Sequence, residues 1–251
     1  MKTFNVYQFN ADPRLPTPLR QTLLETFEVC NEVLASFYVE VSNEVLAFAR
    51  SRGLKNIVEL GAGHAPLTRL LVDNPESHGL NFVICDLIPA VEQYQELELK
   101  YPGRVTALTE SVDFSTTRAW PPSTLLVLCA AIHHVPTQKR PALVHALSLS
   151  ADSVMVFAPV RKTWLSVLLA MAIIFPAIAL PILLWKKPGR LRRVLWCWLV
   201  PVIPLIALWD GFGGSLRQWN EREWREVLAR EAGEQREPFL KHWGNRQLVA
   251  W

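Results

Sequence analysis

The chain has only four cysteines in 251 residues, Cys30, Cys85, Cys129 and Cys197, and no two of them form a CxxC pair. That argues against a disulfide-stapled scaffold and suits a reducing compartment. Histidines, cysteines and acids show no metal-ligand spacing, so no metal site is expected. The net charge is a modest +3, and the first 160 residues hold no basic run with interleaved aromatics. No electrostatic footprint for nucleic acid is therefore present. Residues 1–5 carry no apolar signal-peptide core. Internal repeats and low-complexity segments are lacking as well. The most consequential lack is charge itself: Thr163 to Trp185 contains no charged residue, and neither does Val194 to Trp209.

Against these absences one stretch stands out. Ile57-Val-Glu-Leu-Gly-Ala-Gly-His-Ala-Pro66 reads as a short strand ending in a carboxylate and running into a small-residue turn. Pro66 suits the first turn of a following helix. A glycine turn between strand and helix lets a ligand approach the backbone closely. A nicotinamide-type turn wants a third glycine where Pro66 stands, and a P-loop wants a Gly-Lys-Ser/Thr ending that is absent. A glycine turn with no ligand is the remaining alternative. Phe82-Val-Ile-Cys-Asp86 reads as a second buried strand ending in an acid, suited to ribose hydroxyls. Val105 to Leu108, Leu125 onward and Val154 to Phe157 read as three more strands, with helices near 65–73, 89–100 and 137–149 between them. Strand and helix alternating at this spacing imply βαβ units and a parallel sheet.

Glu59-x-Gly61-x-Gly63 with Ala65, the acid Asp86, Ser111-Val-Asp113 and the His133-His134 pair after the fourth strand follow one another in this order. In that order they resemble the motifs of class I S-adenosylmethionine-dependent methyltransferases. The resemblance implies a Rossmann-like, mostly parallel seven-stranded α/β sheet, closed by the antiparallel pair Phe239–Trp243 and Gln247–Trp251. It implies S-adenosyl-L-methionine as cofactor, with contacts at Glu59, Gly61, Ala62, Gly63, Asp86, Leu87, Val112, Asp113 and Ala130. Methyl transfer from a sulfonium needs alignment, plus a base when the acceptor is a hydroxyl. His133 and His134 are the candidate catalytic residues, since they sit at the carboxyl edge of the sheet and histidine titrates near neutrality.

The two charge-free runs flank the basic stretch Lys186-Lys-Pro-Gly-Arg-Leu-Arg-Arg193, and tryptophans 164, 185, 196, 198 and 209 lie near their ends. Tryptophan favours the headgroup interface. The first run is long enough to span a bilayer, yet a span would carry the basic loop away from the cytoplasmic side. Pro176, Pro181, Pro201 and Pro204 interrupt the helical ladder. Two apolar hairpins dipping into the cytoplasmic leaflet, or kinked interfacial helices, satisfy both constraints, with the basic loop on anionic headgroups. A two-span hairpin and a buried hairpin packed on the soluble part stay open.

The sequence thus divides into a helical lid (1–50), a cofactor-binding core (51–160), an apolar membrane-associated insert (161–209) and a completion of the core (210–251). Arg20, Tyr38 and Glu40 are lid residues, and a packing cap without ligand contact is the alternative for that segment. Asn220 and Glu223 form a capping-box pattern. The stretch Asp210-Gly…Ser215-Leu-Arg217 resembles one in a bacterial subgroup of these methyltransferases. Two functions are compatible with all this. One is a membrane-associated methyltransferase with its catalytic part in the cytoplasm, acting on an apolar or lipid-like small molecule. The other is a non-catalytic membrane scaffold that keeps the fold.

Overall fold

The computed structural model describes residues 6–9, 12, 14–116, 118–232, 238–243 and 246–251. Packing divides the chain into two units. One comprises Met1–Ala35 and Val160–Trp219, the other Ser36–Pro159 and Asn220–Trp251. The expected 1–50 segment is therefore shared: helix α1 (Thr17–Val33) belongs to the first unit and nearly all of α2 (Ala35–Ser51) to the second. The break between them is the single residue Leu34.

The second unit is built on a seven-stranded sheet. Its strands are β1 (Asn56–Leu60), β2 (Asn81–Cys85), β3 (Val105–Ala107), β4 (Thr124–Cys129), β5 (Ser153–Ala158), β6 (Phe239–Trp243) and β7 (Arg246–Ala250), in the order β3-β2-β1-β4-β5-β7-β6. The first five are parallel, and β7 runs antiparallel to both β5 and β6. Every residue of β4 and β5 is buried, which is why both read as continuous apolar runs rather than alternating ones. Helices α3 (Pro66–Asp73), α4 (Val91–Lys100) and α5 (Arg140–Ser150) make the crossovers, and α10 (Glu221–Glu231) packs on α5. The capping box at Asn220 and Glu223 is formed in both directions. Strand order reverses between β1 and β4, so their carboxyl ends open the crevice where ligands bind in such sheets.

The first unit is helical. It contains α1, α6 (Trp164–Met171), α7 (Ile174–Leu183), α8 (Arg190–Val194), a π-turn at Leu195–Leu199 and α9 (Val202–Arg217). Its core joins Leu23 and Val29 to Ala177, Leu180, Cys197, Ile203, Ile206 and Ala207. The first charge-free run forms a 20-residue helical stretch, Trp164–Leu183, broken only at Ala172–Ile173. The second is bent by 69° between Leu199 and Val202. Pro176 and Pro204 fall in first helical turns, where a missing N–H costs little. In these two places proline starts a helix rather than kinking one. Trp164, Leu168, Phe175, Ile182 and Leu205 are all more than half exposed, so one broad side of this unit is apolar and uncovered.

The basic stretch is tied to α1. Arg193 is fully buried, pairs with Glu25 at 3.0 Å and donates to the carbonyls of Leu184 (2.7 Å) and Lys187 (2.6 Å). Arg192 reaches the same carboxylate at 2.6 Å. Two of the five basic residues expected at headgroups are thus spent on Glu25, while Lys186, Lys187 and Arg190 stay exposed.

Helices α6 and α9 meet at Gly211. A Cβ there would stand 2.3 Å from the Ala170 carbonyl oxygen. Gly211→Ala must therefore push the helices apart, with an expected loss on the order of 1–3 kcal/mol. A lower thermal midpoint checks this, and an unchanged one would show that the helices do not cross so closely.

Candidate functional site

The site grows from the turn after β1. Gly61, Gly63 and Ala65 all adopt left-handed backbone, at φ of +68°, +56° and +53°. Alternation of such residues curls the chain tightly enough for Ala65 N–H to reach Ala62 O at 2.7 Å. Ala62 N–H extends the strand pairing by bonding Cys85 O at 3.1 Å. At Gly61 a Cβ would meet Ala131 at 3.0 Å and Phe114 at 3.3 Å, so glycine is required by contact as well as by φ. At Gly63 a Cβ would find nothing within 4 Å. The outer side of the turn is open, as a ligand seated against backbone requires.

Two carboxylates fasten this turn. Glu59, 2% exposed, accepts from the Thr68 N–H at 3.0 Å and the Thr68 hydroxyl at 2.5 Å. It ties the end of β1 to the first turn of α3, where the helix dipole also favours negative charge. Burial pushes the Glu59 carboxyl up to about 7, partly opposed by the Thr68 bonds, and nearby Asp86 adds to the rise. Asp86, just past β2, accepts the Gly63 N–H on Oδ2 at 2.8 Å and the Ile88 N–H on Oδ1 at 2.9 Å. One side chain therefore holds both the glycine turn and the loop after β2. Each carboxylate oxygen has two lone pairs, so capacity remains for two hydroxyl donors.

The remaining expected contacts fall around this pair. Val112 N–H bonds Asp86 O at 2.9 Å, and the Ser111 hydroxyl bonds Leu87 O at 2.7 Å, which brings the loop after β3 alongside. Asp113 accepts the Ser115 N–H at 2.8 Å. Ala130, at φ +55°, bonds Phe157 O from the end of β4. His133 and His134 lie on a 3-10 turn, Ile132–His134, half-buried, with ring centroids 4.1 Å apart. Of the lid residues, Tyr38 is buried, and the groups that raise its pKa after burial itself are Cys129 and Glu59, at the ends of β4 and β1. Glu40 instead pairs with Arg246 of β7, and Arg20 bonds the Asp12 carbonyl.

Four residues here carried no sequence signal. Thr68 is the partner of Glu59. Ile88 is 44% exposed and, beside Leu87 at 47%, forms an apolar ledge next to the Asp86 carboxylate. Arg140 is fully buried and holds the Val135 carbonyl at 3.1 Å, bracing the loop that carries the histidines. Tyr94 on α4 is fully buried and its hydroxyl has no hydrogen-bond partner among the described residues; burial, then Asp86, then Glu59 raise its pKa. Its neighbours became visible only when α4 packed on the sheet. Among the described residues no three His, Cys, Asp or Glu side chains converge as a metal site.

No protein-family model matches the sequence, and no curated protein matches it either. Solved structures do match. Human N-acetylserotonin methyltransferase in complex with SAM is similar over 93% of this chain and 55% of its own, at 12% identity and a TM-score of 0.56. The mitomycin 7-O-methyltransferase matches over 93% of this chain and 57% of its own, at 15% identity and 0.53. Magnesium protoporphyrin IX methyltransferase from Synechocystis PCC 6803, with bound SAH, matches over 84% and 81%, at 14% identity and 0.50. The chain therefore spans little more than half the length of two of these proteins and about four fifths of the third. The sheet unit has the Rossmann-like fold of the S-adenosylmethionine-dependent methyltransferases.

The Glu59 environment has a pH signature. In the unfolded chain a glutamate loses its proton near 4.5, but in the fold it keeps it up to about 7. Below pH 4.5 both states are neutral here and the group costs nothing. Between 4.5 and 7 the unfolded state ionises first, so stability falls as pH rises, by on the order of 3 kcal/mol in total. Above 7 the loss is complete. Denaturant midpoints of the ligand-free protein should fall across this window, and Glu59→Gln should flatten the fall. A parallel pH profile in the variant would assign the effect elsewhere.

Proposed function

We propose that the protein is an S-adenosylmethionine-dependent methyltransferase that works at a membrane surface on an apolar or lipid-like small molecule. The observation that carries the reading is the pairing of an outward-open glycine turn with the Asp86 carboxylate across adjacent parallel strands. The residues fit the cofactor: Gly63 leaves room at the backbone, Asp86 has acceptor capacity for ribose hydroxyls, and Leu87 and Ile88 offer an apolar ledge for a flat base. Asp113 and Val112 stand beside that ledge, and Ala62 and Ala130 keep the approach free of bulk. When bound, the cofactor supplies an electrophilic methyl group on a sulfonium. The chain's part is then to align the acceptor, and His133 or His134 removes a hydroxyl proton if the acceptor carries one.

Connectivity supports surface attachment rather than crossing. Helix α1 carries Arg20, Glu25, Glu28 and Glu32, and charges of that number keep a helix in water. It joins α2 of the sheet unit through one residue, so both lie on the same side of a bilayer. Arg193 and Arg192 bind the basic loop to Glu25 of α1. Trp164–Leu183 leaves from the end of β5 and leads back to that loop, so its two ends share one side although its length would suffice to cross. The reading that fits is a kinked apolar hairpin lying in the cytoplasmic leaflet, with exposed Lys186, Lys187 and Arg190 at anionic headgroups. Solved structures of the same fold act on small molecules by their names, mitomycin 7-O-methyltransferase among them, and an apolar docking side would bring this chain to an acceptor dissolved in lipid.

Calorimetric titration with S-adenosylmethionine tests the chemistry. Asp86→Ala, judged folded by circular dichroism, is expected to lose cofactor affinity by on the order of 1.5–3 kcal/mol. Unchanged affinity would remove Asp86 from the site, and no binding to the unaltered protein would leave the scaffold reading. Attachment is tested separately. The protein is expected to sediment with membranes, and a cysteine placed at Lys186 should react with impermeant maleimide only after cells are opened. Reaction in intact cells would show that the loop crosses and would replace the surface hairpin with a two-span one.

A further inference from the structure

The stretch Asp210–Arg217 has no part in the site on the sheet as described, yet three of its residues are buried and face one short extended segment. Asp210, 5% exposed, accepts the Phe9 N–H at 2.9 Å. Arg217, 7% exposed, donates to the Val6 carbonyl and, at 3.2 Å, to the Gln8 side-chain oxygen. Between them Gly213 leaves room for Val6: a Cβ there would stand 2.9 Å from Val6 Cγ1 and 3.2 Å from its Cβ. Trp209 Nε1–H donates to the Tyr7 carbonyl at 2.9 Å. Residues 210, 213 and 217 recur at three and four, so they form one face of α9. Phe9 packs into the apolar core of the unit, and its ring meets Tyr7 edge-on at 5.0 Å.

We propose that this face of α9 is a peptide clasp whose occupant is the chain's own segment Val6–Phe9, held as a strap across the helical unit. Side chains of one helix hold backbone groups of Val6, Tyr7 and Phe9, and a glycine admits the Val6 side chain. The strap fixes Tyr7 beside Trp209, and both rings are nearly half exposed. The clasp therefore sets an aromatic pair on the uncovered apolar side of the unit. Aromatic rings with a polar edge are anchors at the bilayer interface. That last role rests on the membrane reading above; the clasp itself does not.

The test uses the full chain with Val6→Cys and Gly213→Cys. A Cβ separation near 3.2 Å lies just below the usual disulfide spacing of about 3.5–4.5 Å, so a small outward backbone shift brings the pair into range. Mild oxidation is expected to give a 6–213 bridge, mapped by mass spectrometry, and a Val6→Cys/Leu205→Cys control should give none. Asp210→Ala with Arg217→Met in the otherwise native chain should speed amide exchange at Phe9 by roughly tenfold. The same pair should weaken binding to phosphatidylcholine–phosphatidylglycerol vesicles by roughly tenfold, and adding the 6–213 bridge to that variant should restore binding. Failure of the bridge to form, or unchanged exchange at Phe9, overturns the clasp. A bridge that forms with vesicle binding indifferent to it keeps the clasp and overturns the anchoring role. Absence of vesicle binding in the native chain overturns the membrane reading instead.

Discussion

Everything at the carboxyl edge of the sheet depends on one side chain, Asp86. Its two oxygens take backbone N–H groups from two loops that have no covalent reason to be near each other, the glycine turn after β1 and the loop after β2. Bonds from N–H to a carboxylate are about twice as strong as neutral ones. They fix a turn that is costly to hold, because Ala65 occupies left-handed backbone without being glycine. Glu59 performs the complementary task from beneath, fastening α3 through Thr68. The turn is thus clamped on its strand side and on its helix side, and its outer edge, at Gly63, faces open space. Asp86 holds the turn from this edge and still has acceptor capacity left over.

The two carboxylates differ in a way that follows from depth. Glu59 is sealed in the sheet and keeps its proton to about pH 7, where it serves architecture. Asp86 stands at the edge, with an apolar ledge rather than a core around it. A buried acid at the end of a central strand is destabilising unless its partners are fixed, and here the partner is a threonine whose N–H and hydroxyl both lie in a first helical turn. The sequence pattern that marks both acids as cofactor residues does not distinguish these tasks. Local surroundings, set by α3 packing on β1, separate them.

What was legible in the sequence is what local patterning dictates. The strands came out within about two residues of their observed bounds because β1, β2 and β5 are apolar runs ended by glycine, acid or proline, and β4 is an apolar run from Leu125 on. The antiparallel closure was expected from the family resemblance and is present as β6 and β7. Less legible was anything decided by distant packing. No glycine or proline marks the break at Leu34, so the allotment of α1 and α2 to different units had no local sign. The basic loop read as five free charges, yet Glu25, more than 160 residues away, holds two of them. Thr68, Ile88 and Tyr94 are ordinary residues in sequence, and their roles arise from what β1, β2 and α4 bring next to them; Arg140 acts through its local bond to the Val135 carbonyl.

Glycine shows how one residue type serves two constraints in the same chain. In the sheet unit Gly61 and Gly63 are needed for left-handed backbone, and at Gly63 the absent side chain leaves space. In the helical unit Gly211 and Gly213 have ordinary helical backbone, and the absent side chain is filled by another segment's atoms. A glycine inside a helix costs about 1 kcal/mol relative to alanine. Helix α9 carries Gly211, Gly213 and Gly214, so isolated propensity works against it over its second half. Close contact is what offsets that cost: the Ala170 carbonyl of α6 on one side and Val6 on another occupy the volume the side chains would have taken. Helix α9 is therefore stable only as part of its unit, and the segments that pack into its glycine positions are as necessary to it as its own hydrogen bonds.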